Sequence, residues 1–234
     1  MKIAIMQPYF FPYIGYFQLI ANTDVFVIYD EIKYTKKGWI NRNKYLNYES
    51  TSYFTLPLKK DSDFLYISER YLSDDWEFER KKILNKIKNA YLKAPFFEET
   101  FVFFEQCLSF QNRNLFEFIY NSVKSICNYL DINTEIKKSS ELQISSHLKS
   151  QDKVKAICKT LLGKTYINPI GGVELYDKND FLNDDLELFF LRSKNVSYPQ
   201  FGNEFEPFLS ILDIMMFNDI KKVKEMLLTE FEIL

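Results

Sequence analysis

The stretch KIAIMQPYFFPYIGYFQLIANTDVFVIY, residues 2–29, holds two apolar runs separated by an aromatic loop and a helical segment. Residues 2–7 and 25–29 are short, apolar and rich in β-branched side chains, which is typical of buried strands. A helix is expected to begin near Pro12, because the first helical turn does not need the N–H that proline lacks. Strand, loop, helix and strand within about 30 residues predict a βαβ unit with parallel strands.

The remainder of the chain continues this alternation around a helical block. Apolar residues recur at helical spacing between residues 76 and 130. Further short strands are predicted at residues 53–58, 67–72, 133–136, 142–144 and 186–191, and residues 166–168 lead into a turn at 169–172. The predicted fold is therefore α/β, a Rossmann-like parallel sheet flanked by helices. We expect a single domain over residues 1–234, with a helical insertion or subdomain at about 76–130.

Composition and charge argue against several classes of protein. The 234 residues are 47% hydrophobic and 26% charged, which allows a sizeable core and argues against disorder. The net charge of −2 does not favour nucleic acid as a partner. Apolar runs are too short for a membrane span, and the run at residues 1–6 is too short for a signal peptide. The predicted compartment is the cytoplasm.

The cysteines and the histidine argue against a zinc, haem or iron–sulfur centre. Cys107, Cys127 and Cys158 are widely spaced and form no CxxC pair, as in a reduced protein. His147 is the only histidine, so no metal ligand is assigned. His147 is a candidate catalytic residue, alone or in a dyad with Cys158, although a lone histidine more often has a structural role.

The first candidate binding segment is the loop after the first predicted strand. Residues 7–13 combine two prolines, four aromatic residues and one amide. Ligands of open α/β sheets bind at the carboxyl ends of strands, so a rigid aromatic wall is expected there. The predicted substrate-binding residues are Gln7, Tyr9, Tyr13 and Tyr16. The alternative is a hydrophobic plug that packs this loop against the sheet.

Residues 13–16, YIGY, match the position of the HxGH pattern in nucleotidylyltransferase-like folds. Gly15 is shared, but Tyr13 and Tyr16 replace both histidines. A phenol, with a pKa near ~10, donates a hydrogen bond but is not a cation. The comparison therefore favours a nucleotidylyltransferase-like βαβ start more than it favours adenylyl transfer by the usual route.

A second candidate segment follows the second predicted strand. Asp30 and Glu31 are candidate catalytic carboxylates, a pair suited to holding a metal or to orienting a base or a hydroxyl. An arginine between two amides suits a phosphate or carboxylate, and a nearby indole suits a sugar or base. The predicted substrate-binding residues here are Trp39, Asn41, Arg42 and Asn43. The alternative is a solvated surface turn.

A third set of candidates lies in the carboxyl-terminal third. Two adjacent glycines allow a backbone to approach a ligand closely, although such a pair is more often a plain turn. Glu174 and Asp213 are candidate catalytic carboxylates. The predicted substrate-binding residues are Asn168, Gly171, Gly172, Tyr176, Tyr198 and Gln200.

Together these segments resemble the WbqC-like family of bacterial proteins. The resemblance is carried by QPYFFPYIGYF at 7–17, WINRN at 39–43, YINPIGGVELY at 166–176 and the 198–213 segment with YPQ and LSILD, and it spans almost the whole chain. It implies a role in O-antigen (lipopolysaccharide), capsule or related surface-polysaccharide synthesis. It also implies a nucleotide-linked sugar, often an amino sugar, as the substrate.

Three functional hypotheses follow. The leading one is a transferase or ligase that acylates or aminoacylates a nucleotide-linked amino sugar, with the diphosphate on Asn41, Arg42 and the double-glycine turn. The second is nucleotidyl transfer with ATP or CTP and Mg²⁺. The third is a non-catalytic binding partner of glycosyltransferases, and a homo-oligomer stays open. The leading hypothesis requires the amino-terminal aromatic loop and Arg42 to face the double-glycine turn across one cleft.

Overall fold

The computed structural model describes residues 1–48, 50–145, 147–202 and 204–234. The strands are, in chain order, β1 (Lys2–Met6), β2 (Val25–Ile28), β3 (Arg42–Asn47), β4 (Ser50–Thr55), β5 (Glu135–Lys138), β6 (Thr165–Pro169), β7 (Glu187–Ser193) and β8 (Phe231–Ile233). The helices are α1 (Ile14–Ala21), α2 (Trp76–Tyr91), α3 (Phe97–Leu108), α4 (Leu115–Tyr129), α5 (Ser150–Thr160), α6 (Lys178–Leu182), α7 (Ile211–Phe217) and α8 (Ile220–Thr229). Short 3₁₀ helices occupy Ile67–Glu69, Ser139–Leu142 and Ile170–Leu175.

The main sheet has the strand order β5-β2-β1-β6-β7-β8. Strand β1 is parallel to β2, with Ile3 opposite Val25, and parallel to β6, with Lys2 opposite Thr165. Only the edge strand β8 in this described sheet runs antiparallel to its neighbour. After β1, the chain adds β2 and β5 on one side of this strand. It then crosses to the other side of β1 and adds β6, β7 and β8 in turn. The predicted Rossmann-like α/β fold is confirmed.

Apolar side chains alternate between the two faces of this sheet. Ala4 and Phe26 belong to a large cluster that also contains α1 residues, whereas Ile3 and Val25 pack in a second cluster with α5 residues. Both faces of the central strands are therefore covered by helices. This burial explains why β1 and β2 are continuous apolar runs and show no polar alternation.

Helices α2, α3 and α4 occupy the predicted helical block and share the larger cluster with one sheet face. Phe118 of α4 joins them to the amino-terminal loop, since its ring lies 6.2 Å from that of Phe10 and 5.2 Å from that of Trp76. The division into a domain and a subdomain stays a prediction. None of the helices within the described ranges is long and apolar enough to cross a membrane.

Three predicted strands differ in the structure. Strand β4 ends at Thr55, earlier than predicted, and pairs with β3, which the sequence did not predict. Residues 67–72 begin with a 3₁₀ turn, because the Glu69 carboxylate accepts a hydrogen bond from the Tyr66 N–H at 2.8 Å. Residues 142–144 form no strand, and Gln143 there has a left-handed backbone with φ 52°.

Candidate functional site

A cleft of about 380 Å³ opens at the carboxyl ends of β1 and β6. These two strands are neighbours, but the chain leaves them toward opposite edges of the sheet. Such a switch in direction leaves a crevice between the following loops, where open α/β sheets bind their ligands. The cleft is lined by Ile5, Met6, Gln7, Tyr9, Tyr29, Ile32, Ser150, Lys153, Val154, Ile157, Tyr166, Asn168, Pro169, Gly171, Gly172, Leu175 and Tyr176.

The double-glycine turn forms one side of this switch-point cleft. Asn168 is buried at the end of β6, and its Oδ1 accepts a hydrogen bond from the Tyr166 hydroxyl at 3.0 Å. Gly172 lies so close to this amide that a Cβ there would stand 2.1 Å from Asn168 Nδ2. A Cβ on Gly171 would meet nothing within 4 Å. Gly172 is therefore needed for packing, and Gly171 leaves its side of the turn open to a ligand.

Gln7 and Tyr9 form the side of the cleft at the end of β1. The Tyr9 hydroxyl donates to Gln7 Oε1 at 3.3 Å, and the buried Tyr16 hydroxyl donates to the Gln7 carbonyl at 3.0 Å. Burial, with a smaller effect of Tyr13, raises the pKa of Tyr9, and burial also raises the pKa of Tyr176. These hydroxyls are thus neutral hydrogen-bond donors at physiological pH.

The cation of the cleft is Lys153, in the first turns of α5. Its side chain is 7% exposed, its Nζ lies 3.0 Å from Glu31 Oε2 and it sits 4.8 Å from the centre of the Tyr29 ring. Burial alone lowers the pKa of Lys153, but hydrogen bonds and charges from Tyr29 and Glu31 outweigh burial and raise it. Lys153 is therefore charged at neutral pH.

The amino terminus of α5 adds a positive potential beside the Lys153–Glu31 ion pair. Ser150, its first residue, lines the cleft together with Lys153. The free N–H groups and the dipole at the start of a helix attract anions. This end of the cleft is therefore suited to a phosphate group.

The amino terminus of α1, by contrast, is covered. Tyr13 precedes the helix, and its ring lies against Gly15, where a Cβ would stand 2.4 Å from Tyr13 Cε2. In dinucleotide-binding Rossmann folds the pyrophosphate occupies the start of the first helix. Here a phenol ring takes that space, so an anion is left with the start of α5.

Asp30 ties strand ends together and does not line the cleft. It is buried, and its Oδ1 accepts from Ser139 Oγ at 2.7 Å and from Ser140 N at 3.0 Å. Its Oδ2 accepts from Ser140 Oγ at 2.6 Å. These bonds join the end of β2 to the turn after β5. Asp30, predicted as catalytic, is thus fully engaged within the protein.

The predicted group Asn41, Arg42 and Asn43 does not reach the switch-point cleft. Asn41 Nδ2 donates to the Leu56 carbonyl at 2.8 Å, and Asn43 Nδ2 donates to the Phe11 carbonyl at 2.9 Å. Arg42 donates to the Gly38 carbonyl at 3.1 Å. Its guanidinium also lies 4.7 Å from the centre of the Tyr53 ring. Arg42 therefore does not face the double-glycine turn across the cleft, as was expected. Asn41, Arg42 and Asn43 instead hold the β3–β4 hairpin to its surroundings.

Trp39 and Tyr13 line a smaller apolar hollow next to the cleft. This hollow measures about 190 Å³ and is also lined by Tyr9, Pro12, Asn43 and Phe208. Trp39 is 41% exposed and stacks on Tyr53 with ring centres 6.3 Å apart. The two cavities share Tyr9, so the predicted aromatic wall serves both.

Asp213, Tyr198 and Gln200 form a buried cluster away from the cleft. Asp213 is fully buried, and it accepts from Tyr91 Oη at 2.6 Å, Tyr198 Oη at 2.6 Å and Gln200 Nε2 at 2.7 Å. Burial raises the pKa of Asp213, and the three hydrogen bonds partly oppose this. Asp213 joins α7 to α2 and to the 198–200 segment, where no substrate proton reaches it.

The other predicted catalytic groups are also outside the cleft. Glu174 and His147 are exposed, and neither lines it. Cys158 is fully buried, and burial raises the pKa of its thiol to about 12. A thiol so rarely ionised is a poor nucleophile. Cys158 and His147 therefore form no catalytic dyad, because Cys158 lies in the core and His147 lies on the surface.

The structure also brings in residues that were not predicted, above all Lys153 and Tyr29. Lys153 stands beside Val154 and one turn before Ile157, on the face of α5 that is otherwise apolar. The sequence does contain a signal for Lys153, because a lysine on the apolar stripe of an amphipathic helix is expected to be buried and to have a partner. The predicted residues that do meet at the cleft are Gln7, Tyr9, Asn168, Gly171, Gly172 and Tyr176.

The donor atoms present do not match a metal centre. No group of three or more His, Cys, Asp or Glu side chains suited to a metal ion occurs within the described ranges. Mg²⁺ that accompanies a nucleotide usually takes one or two protein carboxylates. The described lining of the cleft contains none. The side chains of the cleft therefore do not fit Mg²⁺.

Comparison with known proteins agrees with the sequence resemblance. A model of the WbqC-like protein family matches residues 7–225. The chain is also 28% identical over 220 residues to the uncharacterized protein Rv1507c of Mycobacterium tuberculosis (strain ATCC 25618 / H37Rv), with 92% of each chain covered. No solved structure matches the chain. Because the family model covers nearly the whole sequence, the chain belongs to the WbqC-like protein family.

Proposed function

We propose that this protein is a transferase or ligase that modifies a nucleotide-linked sugar bound in the switch-point cleft. The observation that carries the proposal is the buried Lys153 cation at the start of α5, beside tyrosines and amides at the carboxyl ends of β1 and β6. A phosphate meets a cation and free helix N–H groups there. Rings such as Tyr9 and Tyr176 suit a base or sugar.

The assignment of the diphosphate changes with the geometry. In this proposal Lys153 and the amino terminus of α5 bind the diphosphate, and Asn41 and Arg42 do not. Gly171 lines the cleft and is retained as part of the diphosphate site. A lysine is a point charge that binds phosphate without a fixed fork, which suits a diphosphate of variable orientation.

Glu31 is the proposed proton acceptor: it lies just outside the described lining of the cleft, next in sequence to Ile32, which lines it, and it is partly exposed and paired with Lys153 at 3.0 Å. In an acylation or aminoacylation, the sugar amine attacks the activated acyl carbon, a C–N bond forms and the leaving group departs with its electron pair. The proton lost by the amine passes to the Glu31 carboxylate. The surface-polysaccharide context implied by the family resemblance agrees with such a substrate.

A test of this proposal compares variants in calorimetric titrations with a panel of nucleotide sugars. Lys153→Gln removes the buried cation and is expected to weaken binding by about 10- to 100-fold. Lys159→Gln is the matched control, since Lys159 lies on the same helix but is exposed and pairs with Asp184. Arg42→Ala is expected to retain wild-type affinity. Loss of binding in Arg42→Ala with normal binding in Lys153→Gln would contradict the placement.

A second candidate is a binding protein without catalysis. It is favoured by one observation, that the described lining of the cleft has no carboxylate and no histidine. Glu31→Gln separates the two candidates. For an enzyme, Glu31→Gln retains nucleotide-sugar binding but reduces turnover by about 10²- to 10⁴-fold, as expected for loss of a general base. For a binding protein, surface-glycan production in cells is unchanged by this substitution.

A further inference from the structure

A further cavity of about 290 Å³ lies on another part of the surface, near the β3–β4 hairpin and the loop that follows it. We call it the arginine hollow, after Arg70, and its other charged lining residues are Lys36, Lys59, Lys60, Asp61 and Asp63. It shares no lining residue with the switch-point cleft. The two cavities are therefore separate sites.

Arg70 is 5% exposed, yet its charge is poorly satisfied. Its Nη1 donates to the Ser62 carbonyl at 2.8 Å, but its Nε is buried without an acceptor. Among the residues that the structure describes, no carboxylate lies within ion-pair distance of Arg70. Leaving the Nε–H of a buried guanidinium without an acceptor is costly.

The guanidinium is also held in place. It lies 4.7 Å from the centre of the Tyr34 ring, and the Tyr34 hydroxyl donates to Asn41 Oδ1 at 3.1 Å. Asn41 is in turn bonded to the backbone of Leu56. Arg70 is therefore fixed against one wall of the hollow and is positioned before any ligand arrives.

The other charges of the hollow leave one more cation and one carboxylate outside any ion pair in the described part of the chain. Lys36 pairs with Asp63 at 2.8 Å, and Lys59 pairs with Asp74 outside the hollow. Lys60 forms no ion pair with any residue in the described part of the chain. The Asp61 carboxylate accepts from the Ser62 N–H at 2.7 Å. Arg70 and Lys60 thus remain for a ligand.

We propose that the arginine hollow binds a phosphate group, either as inorganic phosphate or as part of a phosphorylated small molecule. A phosphate has enough oxygens to meet the Arg70 guanidinium and the Lys60 ammonium together, whereas a carboxylate has only two oxygens to share between them, and the unpaired Asp61 carboxylate limits the site to a ligand that both cations hold. The planar fork of Arg70 suits two phosphate oxygens, and Lys60 adds a mobile positive charge from the rim. The site is independent of the sugar-modifying function proposed above.

The test is calorimetric titration of the full chain with inorganic phosphate and, in a second arm, glucose 1-phosphate, both at constant ionic strength. Wild-type protein is expected to give a saturable isotherm. Lys60→Gln should weaken it by about tenfold, and Arg70→Lys, which keeps the charge but loses the fork, by a similar factor. Tighter binding of glucose 1-phosphate than of phosphate would show that the group is carried on a larger ligand.

Two control variants make the result decisive. Lys93→Gln removes an exposed lysine beyond the end of α2 and should leave the isotherm unchanged. Lys153→Gln removes the cation of the switch-point cleft, so loss of phosphate binding in this variant alone would place the anion there and overturn the proposal. Absence of saturable binding to wild type, or equal affinity in wild type and Lys60→Gln, would overturn it as well. Failure of nucleotide sugars to bind would leave this result untouched.

Discussion

Gly172 lies directly against the side chain of Asn168, so that a Cβ on the glycine would stand 2.1 Å from Asn168 Nδ2. Asn168 is itself held by the Tyr166 hydroxyl at 3.0 Å. The amide therefore has little freedom to move away. The shape of one side of the switch-point cleft depends on the absence of a single side chain at position 172.

Replacement of this glycine should damage both stability and binding. Gly172→Ala is expected to lower the free energy of unfolding by about 1–3 kcal/mol, the usual cost of overpacking a buried site. It should also weaken nucleotide-sugar binding, because Asn168 is displaced into the cleft. Urea unfolding and calorimetric titration measure the two effects. Gly171→Ala is the matched control for stability, since its Cβ meets nothing within 4 Å, and an equal loss of unfolding free energy in both variants would contradict this account.

The Tyr91 hydroxyl is predicted to contribute to stability alone. It donates to Asp213 and accepts from the Leu46 N–H at 2.8 Å, so Tyr91→Phe leaves two buried groups unsatisfied. The expected loss is about 1–3 kcal/mol in the free energy of unfolding. Tyr71→Phe, at a ring 48% exposed, should change it by less than about 0.5 kcal/mol. Thermal and urea unfolding test the pair, and similar losses in both variants would refute the role of the buried cluster.

Asp213 should also make stability depend on pH. Burial raises its pKa in the folded protein above the ordinary value of 3.8, so the folded state binds more protons than the unfolded state above that pH. Its contribution is therefore fully present below about pH 3.8 and is lost as pH rises through the raised pKa. As pH rises through this window, the unfolding free energy of wild type should fall relative to that of Asp213→Asn, which has no carboxyl to ionise. Urea unfolding of both proteins at a series of pH values measures this change. A rise in the stability of wild type relative to Asp213→Asn over the same pH range would contradict the raised pKa.

The cysteines should be unreactive in the native protein. Cys107, Cys127 and Cys158 are buried, and burial raises the pKa of each thiol to about 12. Iodoacetamide at pH 8 is expected to leave all three unmodified until the protein is unfolded in urea, because the thiolate is the reactive form. Mass spectrometry of intact protein reads out the number of adducts. Rapid native alkylation of Cys158 would revive a nucleophilic role for it.

The central strands could be predicted from sequence because they are buried on both faces. From Ile3 to Met6 and from Val25 to Ile28 they read as apolar runs, as strands buried on both faces do. Strand β3 could not be predicted in this way. Its inward residue Asn43 is polar and bonded to the carbonyls of Phe10 and Phe11, so the usual apolar signal of a buried strand position is missing.

Polar side chains that are bonded within the fold, as Asn43 is, also explain the errors at the candidate site. Asn41, Arg42 and Asn43 have the chemistry of an anion site, but backbone carbonyls and an aromatic ring satisfy them. Lys153, in a helix with many lysines, resembled an ordinary solvated residue until the structure placed it on the buried face. Residue type alone does not show whether a polar group is already paired within its own fold.

The cleft joins two parts of the chain that are made far apart in time. Gln7 and Tyr9 leave the ribosome early, whereas Lys153, Asn168 and Gly172 follow only after the hairpin and α2 to α4. A truncated product that ends at α4 has one side of the cleft and lacks the other. The proposed site is therefore complete only once α5 and β6 have been made and lie beside β1, so a chain cut between α4 and α5 would keep Gln7 and Tyr9 but lack Lys153 and the double-glycine turn.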